Sequence, residues 1–209
     1  MFTATGKGQT TETIGLFTKA AYLEMAEWRM WASIFCGFIG TILYYMGFHR
    51  MYGLLKLHVT EPKGQIWVRL FRAAYIMGTV AWAWVHAMFM TDALIFKFVF
   101  EAYGEVQTAA DIANRVFYAN APGMLTAYIV CDLGLTSIMI AMIWKKKTYL
   151  PPWMWIFNPL TFKLLINMIG RLGSSAFMNG LACSNMSLGA IIIFAAWWIS
   201  LNKREQRLR

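Results

Sequence analysis

The sequence predicts an all-α, polytopic membrane protein built as a bundle of five transmembrane helices, with its N-terminus outside and its C-terminus inside. Of its 209 residues, 59% are hydrophobic and only 14% are charged, which is too little polar surface for a soluble domain of this size. Several apolar runs approach the ~20 helical residues that cross a bilayer core of roughly 30 Å. Basic residues lie between and after these runs, as the positive-inside rule describes.

The N-terminal segment, residues 1–28, is polar and is predicted to lie at the membrane interface. Its first 20 residues hold no unbroken apolar run, so the segment does not have the pattern of a secretory signal peptide. Residues 11–28 are compatible with a short helix on the membrane surface that turns Ile14, Phe17 and Met25 toward lipid.

The transmembrane domain, residues 29–202, contains five predicted spans. They are residues 30–48, 73–91, 124–144, 153–169 and 177–201. The fourth span is interrupted by polar residues and a proline, which makes it the weakest of the five.

Residues 91–106 are too long for a plain loop between the second and third spans. They either continue the second helix beyond the membrane, or they form a separate helix along the outer interface. In the second case Thr91 or Asp92 would be its N-cap.

The basic residues orient this bundle. Twelve Lys and Arg residues fall on one side of the membrane if there are five spans, including a basic cytoplasmic tail at residues 203–209. Most of the acidic residues fall on the opposite side. This placement explains the net charge of +9 better than a nucleic-acid-binding surface does, so no nucleic-acid partner is expected.

An aspartate lies near the middle of the third span, where an uncompensated charge is costly. Asp132 sits about halfway between Pro122 and Lys145, and Lys163 lies at a similar distance along the fourth span. The connection between these spans is short, so they are predicted to be antiparallel neighbours. We therefore expect Asp132 and Lys163 to form an ion pair within the membrane.

Further polar residues gather in the outer half of the predicted bundle. Lys163, Asn167 and Arg171 follow each other at intervals of four residues, which places them on one helix face. His86 in the second span and Asn185 in the fifth lie at a similar depth. The asymmetry between the two membrane halves predicts a polar pocket open toward the outer leaflet.

Several chemistries are excluded by the same residues. His49 and His58 lie at the inner edge and in the inner loop, so neither can share a haem iron with His86. The sequence has no P-loop, no nucleophile elbow and no HExxH zinc motif. The three cysteines lie inside apolar runs without metal-ligand spacing. No metal and no cofactor is therefore expected.

The leading functional hypothesis is that the pocket binds an amphiphilic lipid, isoprenoid or sterol-like molecule. Whether the protein is an enzyme stays open. If it is, acid–base proton transfer by His86 and Asp132, as in an isomerase, is the most economical chemistry. The expected ligand-binding residues are Lys163, Asn167, Asn185, Trp82, Tyr44, Asn158 and Arg171. For Asn158 a structural role is the favoured alternative.

Two other classes of function remain open at this point. In the first, the protein is a non-catalytic scaffold or assembly subunit whose polar cluster fixes helix packing, while its basic loops hold membrane lipids or a second copy in a homo-oligomer. In the second, it is a small proton-coupled transporter, which the lack of internal repeats disfavours.

Five stretches resemble a family of bacterial multi-pass membrane proteins that is known mainly as a domain of unknown function. They are EWRMWAS (27–33), GFHRMYGLL (47–55), HAMFM (86–90), YLPPWMWIFNPL (149–160) and MSLGAIIIF (186–194). The resemblance covers residues 27–200 and implies a bacterial inner-membrane location but no activity. It points to Glu27, Arg29, His86, Asn158 and Pro159, with structural roles for Glu27, Arg29 and Pro159.

A fainter likeness is to the emopamil-binding sterol isomerases, which are five-helix membrane proteins with an acid–base pocket inside the bundle. The helix count and the buried His and Asp are similar. The His-x-x-x-Glu spacing expected in that family is absent, because Met90 stands four residues after His86. The likeness extends to the fold alone.

Overall fold

The computed structural model describes residues 20–146, 150–173, 175, 177–178 and 185–208, and every regular element in these ranges is helical. The predicted surface helix at residues 11–28 falls largely outside the described residues. Its described part contains only the single turn α1, Ala21–Glu24, before the first long helix begins.

Three long helical stretches form the main part of the described chain. Helix α2 is Glu27–His58 and α3 is Pro62–Tyr103. Helix α4, Val106–Ala127, continues through a π-helical segment, Tyr128–Leu135, into α5, Thr136–Trp144. All three stretches are long and apolar enough to cross a membrane.

Helix α3 runs unbroken through residues 91–103, so Thr91 and Asp92 lie inside it and do not cap a second helix. No proline or glycine occurs between them and Tyr103, so nothing interrupts the helical hydrogen bonds. The helix ends where Gly104 adopts a φ of 71°, the left-handed conformation that glycine accepts without cost. The Gly104 amide donates to the Phe100 carbonyl at 2.7 Å.

The third long helix begins at Val106, eighteen residues before the predicted start of the third span at Met124. Pro122 and Gly123 directly precede that predicted start, and a Pro-Gly pair usually marks a turn. In the structure Pro122 lies inside α4. Neighbouring packing and side-chain hydrogen bonds can offset an internal proline in a membrane helix, and the Thr126 hydroxyl bonds the Pro122 carbonyl at 2.9 Å.

The predicted fourth span is divided into a 3₁₀ turn, Pro152–Ile156, and helix α6, Pro159–Gly170. The break lies at Asn158, whose extended backbone (φ −135°, ψ 160°) is the conformation favoured before a proline. Helix α6 has 12 residues and is about 18 Å long at 1.5 Å per residue. It is therefore an apolar helix shorter than a full bilayer crossing.

The last helix, α7, is Asn185–Leu208, and its apolar part is Leu188–Ser200. The predicted fifth span, 177–201, therefore starts earlier than α7. Residues 179–184 lie outside the described part of the chain. The described chain thus has three helical stretches that are long and apolar enough to cross a membrane, and two shorter apolar helices. The predicted count of five spans and their orientation stay predictions.

The chain divides into two compact units. The first unit combines residues up to Ile39 with Ala81–Thr126. In it, the start of α2 packs against α3 through Met30, Ile34, Met90 and Leu94. One helical turn further along α3, Phe96 packs against three alanines of α4: Ala109, Ala110 and Ala113.

The second unit combines Gly40–Val80 with the chain from Ala127 onward. In it, α6 and α7 pack closely because Gly189 has no side chain: a Cβ there would lie 3.0 Å from the Cβ of Phe162. Trp197 is completely buried, and its indole N–H donates to the Phe157 carbonyl at 2.9 Å. This bond satisfies a carbonyl at the break between the 3₁₀ turn and α6.

We expect Trp197→Phe to destabilise the fold, because it removes both this hydrogen bond and part of a filled core position. The cost should be ~1–3 kcal/mol. Trp198→Phe is the matched control, since the Trp198 side chain is 53% exposed. Thermal unfolding of both variants in detergent, followed by size-exclusion chromatography, measures the difference. Equal midpoints for the two variants would contradict the role assigned to Trp197.

Candidate functional site

The candidate site is built around Asp132, which lies in the π-helical segment Tyr128–Leu135. In a π-helical turn each backbone hydrogen bond joins residues five apart in the chain, and such turns inside α-helices are frequent at functional sites. Gly134 relieves crowding within this segment, because a Cβ there would come 3.2 Å from the Ile129 carbonyl oxygen. The segment therefore places a carboxylate on a locally irregular part of an otherwise regular membrane helix.

Lys163 of α6 forms an ion pair with Asp132, and its Nζ donates a hydrogen bond to Oδ2 of the carboxylate. The Asp132 side chain is 5% exposed and the Lys163 side chain 22%. Tyr128 lies one turn before Asp132, and its ring centroid is 4.6 Å from the Lys163 Nζ. The ammonium group is thus held by both a carboxylate and an aromatic face.

The two carboxylate oxygens of Asp132 have different environments. Oδ1 is buried and has no hydrogen-bond partner among the described residues. A carboxylate can accept about four hydrogen bonds, and an unsatisfied buried acceptor costs free energy. Oδ1 is therefore an unsatisfied acceptor within the described part of the structure.

Asn158 and Pro159 position Lys163 by fixing the start of α6. Asn158 is the N-cap: its Oδ1 accepts from the Thr161 amide at 2.9 Å, and its Nδ2 donates to the Trp155 carbonyl and the Thr161 hydroxyl, each at 2.8 Å. Pro159 occupies the first helical position, which suits its missing N–H. Both N–H groups of the Asn158 amide are engaged within its own turn, so the contacts favour a structural role over ligand binding.

A hydrogen bond also joins α6 to α5 directly beside the pair. The Leu160 amide, a free donor in the first turn of α6, donates to the Thr136 hydroxyl at 3.3 Å. Thr136 follows Asp132 by one helical turn and is buried. This contact fixes the depth of α6 against α5 and so brings Lys163 level with Asp132.

The other predicted residues of α6 and α7 have different environments. Asn167 lies one turn beyond Lys163 and is half-buried, whereas Arg171 is exposed just past the end of α6. Asn185 is the first residue of α7, but its side chain lies outside the described part of the structure. Tyr44 belongs to the same compact unit, where its ring packs edge-on against Phe194 at 6.1 Å.

His86 and Trp82 belong to the other compact unit. Their rings are 6.3 Å apart on α3. Gly37 of α2 lies directly against the imidazole, because a Cβ at this glycine would be 2.8 Å from the His86 ring. His86 is thus packed at a close contact between two helices, and its predicted catalytic partnership with Asp132 stays a prediction.

Glu27 and Arg29 lie in the first turn of α2, and a lysine that the sequence analysis did not single out meets this turn. Lys97 donates to the Met25 carbonyl at 2.9 Å and lies 4.0 Å from Glu27 and 3.9 Å from Glu101. Its side chain is 13% exposed. The sequence did contain a signal for this contact: Lys97 stands alone between Phe96 and Phe98 in an apolar run, and a lysine in such a position needs an acidic partner.

A second polar cluster also escaped the sequence analysis. The His49 Nδ1 and the Tyr75 hydroxyl are 2.9 Å apart, and the Tyr45 ring stacks on the imidazole at 5.5 Å. Tyr52 lies beside them with the Arg72 guanidinium 5.5 Å from its ring centroid. No pattern was visible within a single helix, because the cluster joins Tyr45 and Tyr52 of α2 to Tyr75 of α3.

Two further polar side chains are buried with an unused oxygen. Oδ1 of Asp92 on α3 and Oδ1 of Asn114 on α4 have no hydrogen-bond partner among the described residues. No cluster of three or more His, Cys, Asp or Glu side chains that could hold a metal ion occurs within the part of the chain that the structure covers.

Comparison with known proteins gives one match. The model of a family described as a family of unknown function (DUF6796) matches residues 1–204. No curated protein and no solved structure shows significant similarity to the chain.

Lys163→Met should destabilise the protein strongly, because it leaves the Asp132 carboxylate buried without its cation. Breaking a buried pair in this way costs about 3–5 kcal/mol. The double variant Asp132→Asn/Lys163→Met should recover most of that loss, since no net charge then remains in the site. Unfolding titrations in mixed micelles measure the cycle. Additive losses in the double variant would show that the two side chains do not interact.

Proposed function

We propose that the protein is an integral membrane protein whose Asp132–Lys163 site binds the polar group of an amphiphilic molecule. The chain belongs to a family of unknown function, DUF6796. The ligand class is a lipid, isoprenoid or sterol-like compound with a hydroxyl or amine group. The observation that carries the proposal is the buried and unused Oδ1 of Asp132.

The depth of the site supports a lipophilic ligand. At one end of the second unit, Lys145 lies 4.6 Å from the Trp67 ring, and the rings of Trp144 and Trp155 are 6.0 Å apart. Such clusters of tryptophan and lysine are typical of the membrane–water interface. Asp132 precedes Trp144 by 12 residues, which is about 18 Å along a helix. The carboxylate would therefore lie near the bilayer centre, where only a lipophilic molecule arrives readily.

The arrangement of charges suits a hydrogen-bond donor on the ligand. Lys163 donates to Oδ2 of the carboxylate, and Oδ1 has no hydrogen-bond partner among the described residues. A ligand hydroxyl or ammonium group would donate to this oxygen, and such charge-assisted hydrogen bonds are stronger than neutral ones. The partly exposed Lys163 ammonium offers a second contact to a ligand oxygen.

Acid–base catalysis is an extension of this proposal. The Asp132 carboxylate would accept a proton from a ligand carbon or hydroxyl, and Lys163 would stabilise the charge as it moves. His86 stays the predicted second acid–base group. A pocket open toward the outer leaflet belongs to the same extension.

A structural role for the pair is the competing function. The observation that favours it is the number of contacts that lock α5, α6 and α7 together around the pair, among them Thr136–Leu160 and Trp197–Phe157. In that case the charges would fix helix register, and no ligand would be needed. A scaffold or assembly subunit would then be the better description.

The topology that we propose has five crossings, with the C-terminus on the cytoplasmic side of a bacterial inner membrane. The 3₁₀ turn and α6 together cover residues 152–170, close to the ~20 residues of a crossing. Lys145 and Lys146 precede this stretch, on the side where the positive-inside rule places basic residues.

Single cysteines at Lys146 and Arg171, introduced into a variant without Cys36, Cys131 and Cys183, test the fourth crossing. Five crossings place the two positions on opposite sides of the membrane. A membrane-impermeant maleimide should therefore label Arg171→Cys in intact cells and Lys146→Cys only after lysis. Labelling of both positions from the same side would show that residues 152–170 enter and leave by one face.

Ligand binding is tested on the protein purified in mild detergent. We expect a small amphiphile to co-purify with the wild-type chain and to be identified by mass spectrometry of its organic extract. Asp132→Asn should reduce its occupancy by about tenfold, because loss of a charge-assisted hydrogen bond costs ~1.5 kcal/mol.

Asp92→Asn is the matched control for this experiment, since Asp92 is also a buried aspartate with an unused oxygen, but it lies on α3 in the other unit. The amphiphile occupancy of the Asp92→Asn variant should equal that of the wild type. An extract without any bound amphiphile, together with loss of folding in Asp132→Asn, would favour the scaffold over the binding site.

A further inference from the structure

A groove in the second compact unit lies between α2 and α7, away from the Asp132–Lys163 pair. Its volume is about 240 Å³, smaller than the ~300–1,000 Å³ of sites that enclose a whole drug-sized ligand. Its walls are mostly apolar and include Met51, Leu54 and Phe194. The groove is therefore suited to a section of a hydrocarbon chain.

The two helices can form this groove because they approach each other at Gly47. A Cβ at Gly47 would come 2.6 Å from the Phe194 ring, so a larger residue would separate the helices. Beyond this contact the groove is lined by residues that follow in both helices, Arg50 and Leu54 of α2 and Trp198 of α7. The helices therefore run in the same direction, and the exposed side chains of Arg50 and Trp198 form the mouth of the groove.

Among the described residues that line the groove, Arg50 is the only charged one. It is exposed, and it has no ion-pair partner among the residues whose side chains the structure describes. An arginine guanidinium binds phosphate oxygens with two parallel hydrogen bonds. A cation at the mouth of an apolar groove selects an anionic head attached to an apolar chain.

The mouth of the groove lies at headgroup depth. Trp198 lines it, and the apolar part of α7 ends two residues later at Ser200. The following residues of α7 are polar and include Lys203 and Arg204, and Lys56 follows Arg50 on α2. Tryptophan and flanking basic residues mark the membrane–water boundary, and several cations close to a membrane attract anionic lipids.

We propose that this groove is a binding site for an anionic glycerophospholipid. Arg50 binds the phosphate, Trp198 packs beside the glycerol region, and one acyl chain lies against Met51 and extends toward Phe194. The site is independent of the amphiphile site at Asp132. It gives the protein a selective preference for anionic over zwitterionic lipid.

The full chain, delipidated in detergent and reconstituted in nanodiscs, tests this proposal. The probes are phosphatidylglycerol and phosphatidylcholine with identical acyl chains, mixed in equal amounts. Native mass spectrometry after release into detergent counts the retained lipids. Wild-type protein should retain phosphatidylglycerol in preference to phosphatidylcholine by about fivefold, the factor expected for a cation near an anionic headgroup.

Three variants separate the contributions of charge and shape. Arg50→Gln should remove the preference, and Arg50→Lys should keep part of it. Ala195→Trp fills the groove from an exposed position on α7 and should lower retention of both lipids at this site. Arg69→Gln is the matched control, because Arg69 is an exposed arginine of α3 outside the groove, and it should behave like the wild type.

Several results would overturn the proposal. Equal retention of the two lipids by the wild type would show that the groove does not select charge, and an equal loss in Arg50→Gln and Arg69→Gln would indicate a diffuse electrostatic effect. A lipid-free dimer that Ala195→Trp dissociates would show that a second copy covers the groove. Competition by inorganic phosphate alone would assign the site to a free anion. Arg50→Gln should leave the amphiphile occupancy of the Asp132 site unchanged, so failure of one site would be distinguishable from failure of the other.

Discussion

Hydrocarbon cannot solvate an isolated charge, and this constraint determines how the second compact unit is built. Asp132 lies on a helical stretch that is long and apolar enough to cross a membrane, where its charge needs the cation that Lys163 brings from α6. That meeting requires α6 to start at a fixed depth, which the Asn158 cap and the Thr136–Leu160 hydrogen bond set. Trp197 of α7 then satisfies the carbonyl at the preceding break. Each of these polar contacts follows from the need to place one cation beside one carboxylate.

The same constraint explains why function would concentrate here. A pair that only neutralised charge would be expected to satisfy both carboxylate oxygens, whereas Asp132 uses one of them in the described structure. The π-helical segment adds a local irregularity at the same place. An incompletely satisfied polar group on an irregular helix is costly to stability. Such a cost is commonly retained where a ligand makes use of the group.

The sequence predicted the features that follow from polarity and chain proximity. The class of all-helical protein with apolar helices and the approach of Lys163 to Asp132 followed from hydropathy, helical spacing and a short connection. The helix lengths could not be predicted in the same way, because charged residues such as Asp92, Asp111 and Arg115 usually mark the end of a membrane span. Packing keeps these three residues inside continuous helices. The π-helical segment and the meeting of Lys97 with Glu27 also escaped, since they depend on contacts between residues distant in the chain.

Helix α3 and the stretch Val106–Trp144 are 42 and 39 residues long, about 60 Å each at 1.5 Å per residue. This is roughly twice the thickness of the hydrocarbon core, so a large part of this helical hairpin must stand in water if the chain crosses the bilayer steeply. Its tip is the two-residue turn at Gly104 and Glu105, both exposed. An epitope inserted there would project well clear of the lipid headgroups, which would allow an antibody to recognise the native protein from the aqueous side.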